Sequence, residues 1–177
     1  MIDDLGWTDF GCQGSEYYET PNIDQLAVEG MRFTDAYSSG PNCSPSRAAL
    51  LTGNYPTRTG VTTVLNKKIY EFALKELPRR RSLAASERTF GEVLSDAGYA
   101  TISLGKWHLG KKKDGEDPLG QGFDENVGGT HQGPPASYHY PFGKPNTRVP
   151  IDAPEGSYLT DVITDRALDF IRRNQDG

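Results

Sequence analysis

The sequence is short of thiols, of long apolar runs and of positive charge. Only two cysteines, Cys12 and Cys43, occur in 177 residues, too few for a disulfide framework. One bridge between them stays open as a reading, and so few thiols do not fix a redox compartment. No apolar run approaches the roughly 20 residues that cross a bilayer, so no membrane segment is expected. The formal net charge of -5 argues against a nucleic-acid partner, since general nucleic-acid binders are normally basic. The short run Arg79-Arg80-Arg81 reads as a solvated loop before it reads as a phosphate-binding patch. There is no internal repeat. No signal peptide is visible, but both ends of the chain look cut, so that silence decides nothing.

What is there reads as one soluble, globular domain with a real core: 35% hydrophobic and 24% charged residues, in the ordinary range for such proteins. The opening "MIDDLGW" looks like the last residues of a buried strand running into two carboxylates. In "TPNIDQLAVEG", Thr20 can cap a helix, Pro21 suits its first position and Gly30 can end it. Ile23, Leu26 and Ala27 share one face of that helix, expected to pack on a sheet. "MRFTDAY" alternates like a strand. In "TFGEVLSDAG", Thr89 and Glu92 form a capping-box pattern with Gly98 beyond it, and Phe90, Val93, Leu94 and Ala97 supply an apolar stripe. "YATISLGKWHLG" predicts a short strand with polar residues at its exit. Residues 110–156, rich in Gly and Pro, read as long surface loops. The segment from Tyr158 returns to helical spacing through Leu159, Ile163, Ala167, Phe170 and Ile171. This strand–helix rhythm predicts an α/β fold with a mostly parallel sheet flanked by helices. The last helix ends where another strand would follow, so the chain reads as the first part of a larger domain.

In open α/β sheets, ligands collect outside the carboxyl ends of the strands. Asp3-Asp4 and Lys106-Trp107-His108 both fall on such ends, and parallel strands would bring them to one edge. Two adjacent carboxylates are costly unless a cation neutralises them, and oxygen-only ligands favour Ca²⁺ or Mg²⁺. The alternative is that one caps a turn and the other is solvated. In "GPNCSPSRAALLTG", Cys43 stands at the entrance to a helix with Arg47 one turn on. A helix N-terminus offers free N–H groups and positive potential. That position suits a nucleophile or a bound oxyanion, although spacing alone equally allows a buried structural cysteine.

These residues carry a family resemblance. "CSPSR" resembles the Cys-x-Pro-x-Arg signature of the type I sulfatases, whose cysteine is oxidised to Cα-formylglycine, and "LGKWHLG" is similar to their second signature. "MIDDLGW" resembles the family's metal-binding start, with "TPNIDQLAVEGMRFTDAY" and "TGNYPTRTGV" like its usual flanks. The resemblance implies an alkaline-phosphatase-like fold, here incomplete, with residues 1–177 a partial catalytic domain truncated at both ends. It implies a sulfuric ester hydrolase acting on a sulfated small molecule or glycan, matured by a formylglycine-generating enzyme, in a periplasmic or secreted setting.

By the same resemblance, Asp3, Asp4 and Cys43 belong to the site of a Ca²⁺ ion, with Mg²⁺ the second choice. Cys43, as hydrated formylglycine, would attack sulfur and release sulfate by its own collapse. Arg47 would hold the diol, Lys106 a sulfate oxygen, and His108 would assist the collapse. His131, His139, Tyr138, Tyr140 and Phe142 lie in a loop that could border a substrate pocket and stack on a sugar. Cys12 takes no family role. The family's remaining metal and sulfate ligands are not in this sequence, so these 177 residues are expected to be inactive alone. Two rival readings remain: a phosphonate monoester or phosphodiester hydrolase of the same superfamily, and a non-catalytic binding module with unmodified Cys43.

Overall fold

The computed structural model describes residues 1–65, 79–145 and 149–175, and its chain divides into two compact units, residues 1–38 and 39–177. In the first unit, α1 (Pro21–Glu29) starts after Thr20 with Pro21 in its first turn and stops at Gly30, as its sequence predicts. The Thr20 hydroxyl does not cap the helix amides. It accepts from the Gly11 amide (2.9 Å) and donates to Asp24 (3.0 Å), which also takes the Cys12 amide at 2.7 Å. Those bonds pin a single 3₁₀ turn at Gly11–Gln13 against the helix start.

Two expectations fail here. Neither the opening segment nor "MRFTDAY" is a strand. An extended segment must pair its backbone groups with a neighbouring strand or leave them to water, and the described residues supply no neighbour to either. Met1, Ile2, Met31 and Phe33 are accordingly exposed. The apolar face of α1 shows the same exposure, at Ile23 and Leu26, and not the burial expected of a face packed on a sheet.

The second unit follows the predicted rhythm more closely. α2 (Cys43–Thr52) and α3 (Pro56–Thr59) come first, each closed by a glycine in the left-handed region. α4 (Phe90–Asp96) has the full capping box: the Glu92 amide donates to Thr89 Oγ1, and the Thr89 amide donates to the Glu92 carboxylate. β1 (Ile102–Leu104) pairs in parallel with β2 (Glu125–Val127), Ile102 opposite Glu125 and Leu104 opposite Val127. β2 lies inside the stretch read as loop. Its polar start, "ENV", hides it from any pattern of apolar alternation. Residues 146–148 of that stretch lie outside the described residues, as do the last two of the chain. α5 (Leu159–Asn174) closes the unit and packs beside β1.

The core gathers Ala48 and Leu51 of α2 with Val61, Leu83, Trp107, Leu109 and Phe123. The apolar stripe of α4 contributes less than expected, because Phe90, Val93 and Leu94 stay partly exposed. Phe90 still meets Phe123 edge to face, with ring centroids 5.9 Å apart, and Trp107 meets Phe123 at 6.0 Å. Trp107 satisfies its indole by donating to the Glu116 carbonyl at 2.8 Å, which anchors the segment just after β1. Of the three consecutive arginines, Arg80 and Arg81 are exposed as a solvated loop would be, but Arg79 is half-buried and donates to the Val64 carbonyl at 3.2 Å.

Thr89 has a double duty, since its buried hydroxyl also donates to the Gln121 carbonyl at 2.7 Å. Thr89→Ala removes the cap and leaves that carbonyl without its donor. It is expected to cost about 2 kcal/mol, read by urea unfolding, with Thr89→Ser recovering most of the loss. Gly122 has φ 88°, and a Cβ there would lie 2.3 Å from the Glu92 amide nitrogen. Gly122→Ala should therefore destabilise at least as strongly; a neutral result would remove this account of the turn.

Candidate active site

α2 begins at Cys43 because Asn42 is extended (φ -132°, ψ 165°) and Pro45 fits a first helical turn. This puts the Cys43 side chain at the helix N-terminus, half-buried, with Ser44 and Pro45 buried behind it. Cys43 is a free thiol, as is Cys12, so the open reading of a bridge between them is not realised.

The second wall comes from the segment leaving β1. His108 is buried and stands at φ 61°, a left-handed backbone that a non-glycine residue adopts only when its surroundings hold it there. Three contacts hold it. Its amide donates to the Thr130 carbonyl at 2.8 Å. Its carbonyl accepts from the buried Ser44 hydroxyl at 3.2 Å. Its ring lies against Gly133, where a Cβ would stand 3.1 Å from His108 Cε1. Held this way, the imidazole presents Nδ1 to Cys43 Sγ at 3.4 Å, two side chains 65 residues apart in sequence.

Arg47, one turn along α2 and half-buried, donates from Nη1 to the Lys106 carbonyl. Cys43, Arg47, Lys106 and His108 thus come from two segments, α2 and the exit of β1, stitched by the Ser44–His108, Arg47–Lys106 and Cys43–His108 contacts. The chemistry of such a group is specific. A side chain at a helix N-terminus sits in positive potential, here with an imidazole nitrogen 3.4 Å away and the Arg47 guanidinium one turn along the same helix.

Asp3 and Asp4 lie in the other unit. Asp3 is half-buried, and Asp4 is exposed at φ 55°. They are hard oxygen donors of the kind a divalent ion takes. Among the described residues, however, no group of three or more His, Cys, Asp or Glu gathers to hold one. The pair fits part of a cation shell and not the whole of it.

The aromatic loop divides. Phe142 is fully buried at φ 60°, so it packs and cannot stack on a sugar, which corrects the expectation for that residue. Tyr140 is half-buried, edge to face with Phe142 at 5.6 Å. Tyr138 and His139 are exposed beside Tyr158, where a short antiparallel bridge ties His139 to the start of α5. His131 is half-buried and lines a cavity of its own. The sequence reading missed Ser44, Thr130 and Gly133. Ser44 stands in a variable position of its motif, and the other two act through backbone or through having no side chain, so no residue type announced them.

The comparisons with known proteins agree in kind. The family model described as Sulfatase matches residues 1–177. N-acetylgalactosamine-6-sulfatase of Sus scrofa is 39% identical over 188 aligned residues, covering 99% of this chain and 35% of that protein. The chain therefore spans about a third of the length of this curated relative. The crystal structure of Ps i-CgsB superposes with a TM-score of 0.77 at 31% identity, covering 97% of this chain and 40% of that one. Its complex with k-i-k-neocarrahexaose gives a TM-score of 0.72 at 30% identity over the same shares.

Gly133→Ala should displace the His108 ring, because the ring would have to give way to the new methyl by a few tenths of an ångström. A shifted Hε1 resonance of His108 in an NMR spectrum, with Thr89 and its neighbours unmoved, is the expected result. An unchanged resonance would show that the ring does not depend on this contact.

Proposed function

From a chain that belongs to the sulfatase family, with an alkaline-phosphatase-like α/β fold, we propose that the protein hydrolyses sulfate esters of a glycan. The position that does so is residue 43, after its thiol has been oxidised to formylglycine by a maturation enzyme. The observation that carries this reading is the contact of Cys43 Sγ with His108 Nδ1 at 3.4 Å, at the start of α2. The named activities of the relatives and the bound carrageenan hexaose of one structural neighbour support a sulfated sugar as the substrate class.

Each residue has a derivable part. The helix N-terminus surrounds residue 43 with unpaired N–H groups that favour an anion. Arg47 and Lys106 supply fixed positive charge where negative charge accumulates on the transferring group. His108 Nδ1 takes or returns a proton at the side chain of residue 43, and its buried ring keeps bulk water away from that exchange. Asp3 and Asp4 would hold a divalent cation, Ca²⁺ in preference to Mg²⁺. When bound, that ion would polarise the sulfate oxygens. Formylglycine supplies an oxygen nucleophile that a thiol lacks.

The protein in its full natural length, matured so that mass spectrometry shows residue 43 converted, is expected to release sulfate from an aryl sulfate. Arg47→Ala and Lys106→Ala should each lower kcat by about 10²–10³, and His108→Ala by about 10²–10⁴. Faster hydrolysis of a phosphate diester than of the matched sulfate ester would replace this function with that of a phosphoesterase. Full activity with Cys43 left as a thiol would end the formylglycine reading. The 177-residue chain alone, holding only part of a cation shell, should turn over neither ester; robust hydrolysis by it would contradict the assignment of Asp3 and Asp4 to an incomplete site.

A further inference from the structure

A cavity of about 230 Å³ has walls drawn in part from the segments that hold the Cys43–His108 pair in place. Leu65 lines it, and the Leu65 amide donates to Ser44 Oγ at 3.3 Å. Gly110 lines it two residues past His108. His131 lines it next to Thr130, whose carbonyl takes the His108 amide. With consecutive Cα atoms about 3.8 Å apart, these links put the cavity on the order of 10 Å from the thiol.

The charged lining is Arg81, Lys111 and Lys113 against Asp114 and Glu116. Both carboxylates are engaged. Glu116 accepts from the Ser82 hydroxyl at 2.6 Å, and Asp114 faces Lys113 at 3.9 Å. No ion pair engages Arg81 or Lys111 among the described residues. The cavity therefore has an excess of positive charge next to a half-buried histidine, in a chain whose overall charge is negative.

We infer that this cavity is a subsite for a second anionic group, sulfate or carboxylate, on the glycan whose reactive sulfate lies at residue 43. The inference rests on the sulfate-ester reading and narrows its substrate class to multiply charged glycans. An ester with a single sulfate and no other charge gives Arg81 and Lys111 nothing to bind. A glycan with a charge on the neighbouring sugar places that charge at this distance. Guanidinium and ammonium donors grip sulfate and carboxylate alike, so the two sources share one recognition chemistry.

Lys112 provides an internal control. It belongs to the same 3₁₀ turn, Lys112–Asp114, but does not line the cavity. Binding is measured by calorimetry at low salt on the full-length protein carrying Cys43→Ala, which prevents turnover. The probes are a carrageenan tetrasaccharide with two sulfates and a chondroitin-type tetrasaccharide with one sulfate and uronate carboxylates. Arg81→Ala and Lys111→Ala are expected to weaken at least one probe about tenfold, the scale of one charged hydrogen bond, while Lys112→Ala changes neither. The probe that weakens identifies the anionic group. Equal losses for all three variants would mean a diffuse field and no subsite, and no loss for Arg81→Ala or Lys111→Ala would equally overturn the inference. Turnover of an aryl sulfate by the matured wild type is scored separately. Hydrolysis without the binding pattern removes the subsite alone, and the binding pattern without hydrolysis removes the enzymatic reading while the subsite stands.

Discussion

A single buried hydroxyl joins the parts of this structure that matter most. Ser44 donates to the His108 carbonyl and accepts the Leu65 amide, so one side chain links the first turn of α2, the exit of β1 and the edge of the neighbouring cavity. The bond to the carbonyl sets where His108 can be, and through it the imidazole reaches the residue preceding Ser44. A buried hydroxyl is stable only when its hydrogen-bonding capacity is used, and here both its donor and an acceptor lobe are spent on backbone groups. Geometry of this kind is difficult to relax by small shifts, because any movement of one segment breaks a bond to another.

Around that link the fold is economical. The parallel pairing of β1 and β2 is only three residues long, too short to be a scaffold by itself. Rigidity comes instead from the side chains that fasten the segment after β1: Trp107 to the Glu116 carbonyl, Thr89 to Gln121, and the edge-to-face rings of Phe90, Trp107 and Phe123. Lys106 and His108 thus sit on a loop held by buried aromatic contacts more than by the sheet, whereas Cys43 and Arg47 are carried by α2.

How far the sequence could be read depended on whether a signal was local. The capping box of α4, the start of α2 at Cys43 and the strand at Ile102–Leu104 were all legible, because caps, turn residues and short apolar runs act within a few residues. The polar strand β2 was not, since a parallel strand of three residues is defined by its partner and not by its own pattern. The supposed strand at the start of the chain had an apolar pair before its carboxylates, and "MRFTDAY" had the right alternation, but neither has a partner among the described residues. For the candidate site, Cys43 and His108 were visible as motifs, whereas Ser44, Thr130 and Gly133 were invisible. Their contributions are a buried hydroxyl, a carbonyl and an absent side chain, none of which leaves a mark in residue type. Phe142 misled in the opposite direction: an aromatic in a Pro-Gly loop reads as a stacking surface, and burial made it core.

The left-handed backbone at His108 makes any replacement there a compound experiment. Glycine would find the conformation comfortable while emptying the space the ring fills, and asparagine would keep the backbone with a shorter polar group. A β-branched residue would be resisted by the main chain before its chemistry mattered. Stability and turnover in a saturation series at this position should therefore rank the twenty residue types differently, and the divergence between the two rankings would separate what the imidazole contributes from what its unusual torsion demands.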